Sequence, residues 1–150
     1  ITLADDNDEV IGMVSVHNFE DDILVVSENG YGKRSNLDDY RITNRGGKGV
    51  KTISITDKTG GLVAIKNVTD TDDLMIINKS GIAIRMSVED LRVMGRATQG
   101  VRLINLKGDD SIAAVAKVMK EDDPMDDTNI MDIEVKGEDG TTLDENSENK

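Results

Sequence analysis

The chain has 150 residues, 37% apolar but only 2% aromatic, with no cysteine and no tryptophan. That excludes disulfides and thiolate metal sites, suits a reducing cytoplasm, and leaves a core built from Ile, Val, Leu and Met. The net charge of −12 is segregated: residues 1–30 carry eight acids and no base, residues 31–107 a net +6, and residues 108–150 a net −10. A basic middle in an acidic chain points to a polyanion partner, and a solvated mixed-charge surface is the alternative. No apolar run approaches the roughly 20 residues of a membrane span, and nothing at Ile1 resembles a signal peptide, so no membrane is expected. The start at Ile1-Thr2-Leu3, without an initiator Met, reads as a fragment.

In chain order, Val10 to Val16 is apolar with polar interruptions and predicts a strand. Ile23-Leu24-Val25-Val26 predicts a second, and Asn29-Gly30 after it is a hairpin signal of the type I′ kind. Gly32-Lys33-Arg34-Ser35 is the returning strand, with Leu37 to Tyr40 as a short link. A Gly-rich basic loop follows, and then Val50 to Thr56, whose polar and apolar residues alternate as in a strand with one wet face. Leu62 to Val68 is read as the opening strand of a second unit. Leu74 to Ile77, a turn at Lys79-Ser80-Gly81, Ile82 to Met86, a link at Ser87 to Leu91 and a strand at Val101 to Leu106 complete it. Ile112 to Val118 predicts a last strand, which either begins a third unit or closes the second.

These elements repeat. Gly30 matches Gly81 and Gly49 matches Gly100, a constant offset of 51 residues. A period near 50 made of short strands is that of propeller blades. The fold class is therefore all-β: about two blades of four-stranded antiparallel sheet over residues 1–120, a partial array whose blades bury their faces only against neighbours. From residue 121 to 150 the sequence is acidic, and Gly137 to Lys150 has Leu143 as its one large apolar residue, the composition of a disordered tail. Ile130 to Val135 alternates like a strand and is the exception.

The sharpest local motif is Arg45-Gly46-Gly47-Lys48-Gly49. Its glycines give the backbone unusual freedom and remove bulk, and two cations flank amides that a phosphate can approach. It is neither a Walker A loop nor a dinucleotide fingerprint. The other cations recur in register: Arg41 with Arg92, Arg45 with Arg96, and Lys33-Arg34 after one turn with Arg85 after the other. With Arg102 they make a candidate rim for a duplex read through its phosphates. Surface cations that keep strands soluble are the bland alternative. Catalytic candidates are poor. His17 has no nucleophile or base arrangement, and Tyr31 and Tyr40 are assigned to packing.

The run from Asn29-Gly30-Tyr31-Gly32-Lys33-Arg34 to Tyr40 and Gly49-Val50, together with Met94-Gly95-Arg96-Ala97-Thr98-Gln99-Gly100-Val101, resembles blades of the C-terminal domain of DNA gyrase A proteins. That family carries a Gln-basic-Arg-Gly-Gly-basic-Gly box. Arg45 to Gly49 matches its last five positions, while Thr43 and Asn44 stand where Gln and a base belong. The order of repeats and the acidic ending resemble the last two blades and tail. The resemblance implies a six-bladed β-pinwheel whose blades exchange strands and whose basic rim wraps double-stranded DNA, so that the enzyme, an ATP-dependent isomerase, introduces negative supercoils. It implies a non-catalytic piece with no cofactor of its own, ATP and Mg2+ being used elsewhere in the holoenzyme. The implied partners are duplex DNA, a second copy of the gyrase A protein, and the gyrase B subunit. The corresponding domain of topoisomerase IV, and a propeller serving as a protein-interaction platform without DNA, stay open as alternatives.

Overall fold

The computed structural model describes residues 2, 3 and 5–120. The acidic segment 121–150, including Ile130 to Val135, lies outside the described residues. Seven strands occur among those described: β1 Asp22–Ser27, β2 Tyr31–Asn36, β3 Leu62–Val68, β4 Asp72–Asn78, β5 Ala83–Ser87, β6 Val101–Arg102 and β7 Ile112–Met119, with a single 3-10 turn at Leu37–Asp39. They form two antiparallel sheets, one in the order β3-β1-β2-β6 and the other in the order β5-β4-β7. No helix among the described residues is long and apolar enough to cross a membrane.

The unbroken apolar run of β1 follows from burial on both faces. Leu24 and Val26 join Val68, Leu74, Ile76, Val88, Leu91, Ile104, Ile112 and Val115 in a core shared by the two sheets. Ile23 and Val25 point the other way and pack with Ile53 beneath Val14, Val16, Leu37, Tyr40, Leu62 and Ile65. The larger core is thus shared between the repeats, as expected when one sheet cannot cover itself, while the smaller cluster lies within the first repeat alone.

Both hairpins use the same device. Gly30 N–H donates to Ser27 O (3.1 Å) and Gly81 N–H to Asn78 O (3.1 Å), with φ +79° and +88° at the two glycines. The pairing of Val26 with Gly32 leaves the loop Glu28-Asn29-Gly30. This is a three-residue loop with a left-handed glycine at its end, in place of the two-residue I′ turn expected from Asn29-Gly30.

Four expectations change. Val10 to Val16 forms no strand; Val14 and Val16 instead lie half-buried over the sheet. Val50 to Thr56 forms no ladder either, although Ile53 is buried. Strand β3 pairs with β1 and so completes the first sheet instead of opening the second. By the same logic β7 pairs with β4 and closes the second. Of the expected strand Val101 to Leu106 only β6 is laddered, and it joins β2 of the first repeat. The first sheet therefore has four strands, the fourth taken from the next repeat, whereas the second has three among the described residues.

Candidate nucleic-acid interface

The exchanged strand decides where the basic loops sit. Gly100 carries φ +82°, and a Cβ there would stand 2.5 Å from Gly32 O, so only glycine lets the second repeat's loop lie on β2. Beyond it, Leu103 N–H donates to Gly30 O (2.8 Å), and on the loop's other side Met94 N–H donates to Arg34 O (2.7 Å). Residues 93–103 are thus laid across the first repeat.

Lys33 occupies the centre of this seat. It is 1% exposed, and its Nζ donates to Gly95 O (2.8 Å), to Arg96 O at a shorter distance, and to Thr98 O (3.2 Å), with Thr98 Oγ1 at 3.5 Å. Burial pushes its ammonium down to about 8; Asp39 works against this, and Arg96 adds to it. Arg34 is buried as well, its Nε donating to Asp22 Oδ2 (2.6 Å) and its Nη1 to Asp70 Oδ1 (2.5 Å). Burial disfavours its charge, but hydrogen bonds and attraction from Asp70 and Asp22 prevail and raise its pKa. Neither side chain is open to a phosphate. The expectation that Lys33 and Arg34 contact DNA is corrected: both are spent on tying elements together.

Arg85 repeats the pairing of Arg34, with Nε 2.7 Å from Asp73 Oδ2, and Asp73 follows Asp22 by the same 51 positions. Its side chain is 35% exposed, so it remains in partial contact with solvent. Arg96 bridges two first-repeat carbonyls, Nε donating to Asp39 O (2.8 Å) and Nη1 to Lys51 O (2.7 Å). Arg102 donates from Nε and Nη2 to Tyr31 Oη (3.2 and 2.8 Å) and lies 5.2 Å from the ring centroid. Lys58 stands 5.3 Å from the same centroid. The hydrogen bond from Arg102, with the charges of Arg102 and Lys58 behind it, outweighs burial and lowers the Tyr31 phenol pKa.

The remaining cations of the expected rim are open. Arg41, Arg45, Lys48 and Arg92 are exposed, and the hydrogen bonds and ion pairs among the described residues engage none of their side chains. Arg45 and Lys48 flank Gly46, Gly47 and Gly49; the carbonyls of Gly46 and Gly47 are held by Thr2 Oγ1 (3.0 Å) and Thr2 N–H (3.3 Å). Gly46 has φ +76° with no atom within 4 Å of a Cβ placed there, so its face of the loop is unobstructed.

Register thus sorts the cations into two kinds. Arg34 and Arg85 are structural twins, Arg41 and Arg92 are exposed twins, and Arg45 and Arg96 diverge because only Arg96 has a repeat beneath it to bind. The same arithmetic, applied further, finds Lys51 as the twin of Arg102 and Lys66 as that of Lys117; Lys51 is exposed and Lys66 half-buried. His17 has one neighbour that the sequence did not indicate, Ser15 Oγ at 3.3 Å from Nε2. Both are exposed and no third group among the described residues orients them, so the pair does not build a nucleophile there. Among the described residues no cluster of three potential metal ligands occurs.

The family model described as DNA gyrase C-terminal domain, beta-propeller, matches residues 21–69 and 72–119, once in each repeat. The DNA gyrase A protein of Staphylococcus aureus strain MRSA252 is 50% identical over 142 residues, covering 94% of this chain and 16% of that protein. Its counterpart in strain NCTC 8325 / PS 47 is 51% identical over 130 residues, 86% of this chain and 14% of that one. The chain thus spans about a sixth of the length of these relatives. Among solved structures, a DNA gyrase A C-terminal domain superposes with TM-score 0.61 at 29% identity, over 65% of this chain and 33% of that one. A DNA topoisomerase IV C-terminal domain superposes with TM-score 0.65 at 18% identity, over 71% and 33%, a likeness of fold alone. With both repeats matched and half of the residues identical to a gyrase A protein, the chain belongs to the DNA gyrase A C-terminal-domain family of β-propellers.

Proposed function

We propose that this chain binds and wraps duplex DNA as a non-catalytic part of a gyrase A protein. The observation that carries the reading is the set Arg41, Arg45, Lys48 and Arg92, exposed cations with no partner among the described residues. They lie on the loops between strands in a segment of net +6 flanked by acidic ones. Cations left unpaired on loops meet phosphates without first breaking an ion pair, and they bind in a sequence-independent way. Arg96, with part of its guanidinium still free, and Arg102 extend the surface, and Gly46, Gly47 and Gly49 keep the box-like loop slim. The negative supercoiling, the gyrase B partner and second gyrase A copy, the ATP and Mg2+ of the holoenzyme, and the cytoplasmic setting belong to this same proposal, as properties of the whole protein.

The test is binding of the chain to a linear duplex across a salt series. Replacing Arg41, Arg45, Lys48 and Arg92 together flattens the slope of log K against log salt by about 0.9 per lost phosphate contact, roughly three to four in all. Unchanged slope refutes the assignment. Absence of binding by the folded parent chain favours the protein-interaction platform.

A further inference from the structure

Lys33 presents a problem that phosphate contact does not solve. Its charge is buried, and no carboxylate among the described residues lies within ion-pair distance; the negative ends of three carbonyl dipoles are its counter-charge. An ammonium has three N–H groups, and here they match the carbonyls of Gly95, Arg96 and Thr98. Burying a charge without an ion partner is expensive, and an apolar residue of similar volume is usually no worse for stability. The second repeat demonstrates the apolar option, because Ile84 stands at the position equivalent to Lys33. At Ile84, 39% exposed, no loop is gripped among the described residues. A lysine thus occurs at the one of the two stations that has a loop to hold.

The gripped loop also carries candidate contacts. Val93 bridges Arg34, Arg96 reaches back to Asp39 O and Lys51 O, and Ser54 takes Thr98 O with its N–H (3.2 Å) and Ala97 O with its hydroxyl (3.0 Å). We propose that Lys33 is the positioning residue of this loop: held in the first repeat, its ammonium gathers the carbonyls of Gly95, Arg96 and Thr98 and so fixes where the second repeat presents Arg96 to a DNA phosphate. A side chain that never touches the duplex thereby joins the backbone bonds of Met94 and Leu103 in fixing how neighbouring cationic loops meet. The proposal rests on the DNA-binding reading for its consequence, and on the hydrogen bonds alone for its mechanism.

The experiment uses the full 150-residue chain with Lys33→Met, and with Lys33→Gln, which keeps two donors, as the milder variant. Amide exchange at Ser54 and Thr98 reports the seat without any DNA. Both amides exchange about tenfold faster in Lys33→Met, a loss of the order of one charge-assisted hydrogen bond, while those of β1 and β4 stay protected. Duplex affinity falls about tenfold as well. In double-mutant cycles Lys33→Met is sub-additive with Arg96→Ala, because both act on one loop, and additive with Arg41→Ala, whose link Lys33 does not touch. General destabilisation would treat the two cycles alike. Unchanged protection of Ser54 and Thr98 in Lys33→Met and Lys33→Gln, or equal coupling in both cycles, overturns the proposal. If the parent chain binds no duplex, the DNA reading falls, and the exchange rates still decide whether Lys33 seats the loop.

Discussion

Gly30 and Gly81 are the same residue of the same turn, 51 positions apart, and they separate local strain from strand exchange. Their φ values are +79° and +88°, so an alanine at either place meets the left-handed penalty of about 1–2 kcal/mol. Their surroundings differ. A Cβ on Gly30 would lie 2.7 Å from Ile104 O and 2.9 Å from Ile104 Cγ2, whereas a Cβ on Gly81 meets nothing within 4 Å. The backbone at Ile104 cannot yield without pulling a core side chain that is 6% exposed and loosening the bond from Leu103 N–H to Gly30 O. Overpacking of this sort adds about 1–3 kcal/mol. Gly30→Ala is therefore expected to destabilise the chain by roughly 2–5 kcal/mol, and Gly81→Ala by only about 1–2 kcal/mol. Urea unfolding followed by circular dichroism measures both. Equal losses would mean that the segment after β6 does not press on the first turn, and the strand-exchange account would be wrong.

Two further outcomes follow from buried charges. Because burial holds the Lys33 ammonium at about 8 against 10.5 for a free lysine, the unfolded chain binds a proton between those pH values that the folded chain has lost. Stability from this group therefore rises with pH across that window; the rise is present in the parent and missing from Lys33→Met in urea melts, and a difference that stays flat with pH refutes it. Removing Asp22, whose side chain is 6% exposed against Arg34, leaves a buried guanidinium with Asp70 as its one carboxylate and a long bond to Val88 O (3.4 Å), and is expected to cost about 3 kcal/mol. Its twin Asp73 faces the more solvated Arg85, so Asp73→Ala should cost clearly less; the reverse order by thermal or urea unfolding would contradict the burial argument.

Much of the fold is legible from spacing alone. The apolar runs that form β1, β3, β4 and β7 are long enough to be buried on one or both faces, and the recurrent glycines mark the turns, because positive φ has few occupants. Segments whose conformation depends on a partner mislead. Val50 to Thr56 has the alternation of a strand but no sheet edge beside it among the described residues, so its backbone bonds go to side chains, to Thr98 O and to the amides of Thr59 and Gly60. Residues 101–102 have such an edge, on β2, and are laddered. The candidate interface divides in the same way. Register identifies Arg41 and Arg92, which end exposed, but it offers Arg34 with Arg85 on equal terms, and position after the turn offers Lys33; Lys33 and Arg34 are buried.

The 51-residue repeat, the all-β class, the aliphatic core and the basic middle were determined by the sequence itself, since each depends on local geometry or on composition. Only the tertiary structure decided which cations are free. A lysine side chain reads the same on paper whether water or another repeat lies above it. Here the strand exchanged at β6 carried the loop at Gly95 to Thr98 over β2, and that crossing turned Lys33 from a surface charge into a buried clamp.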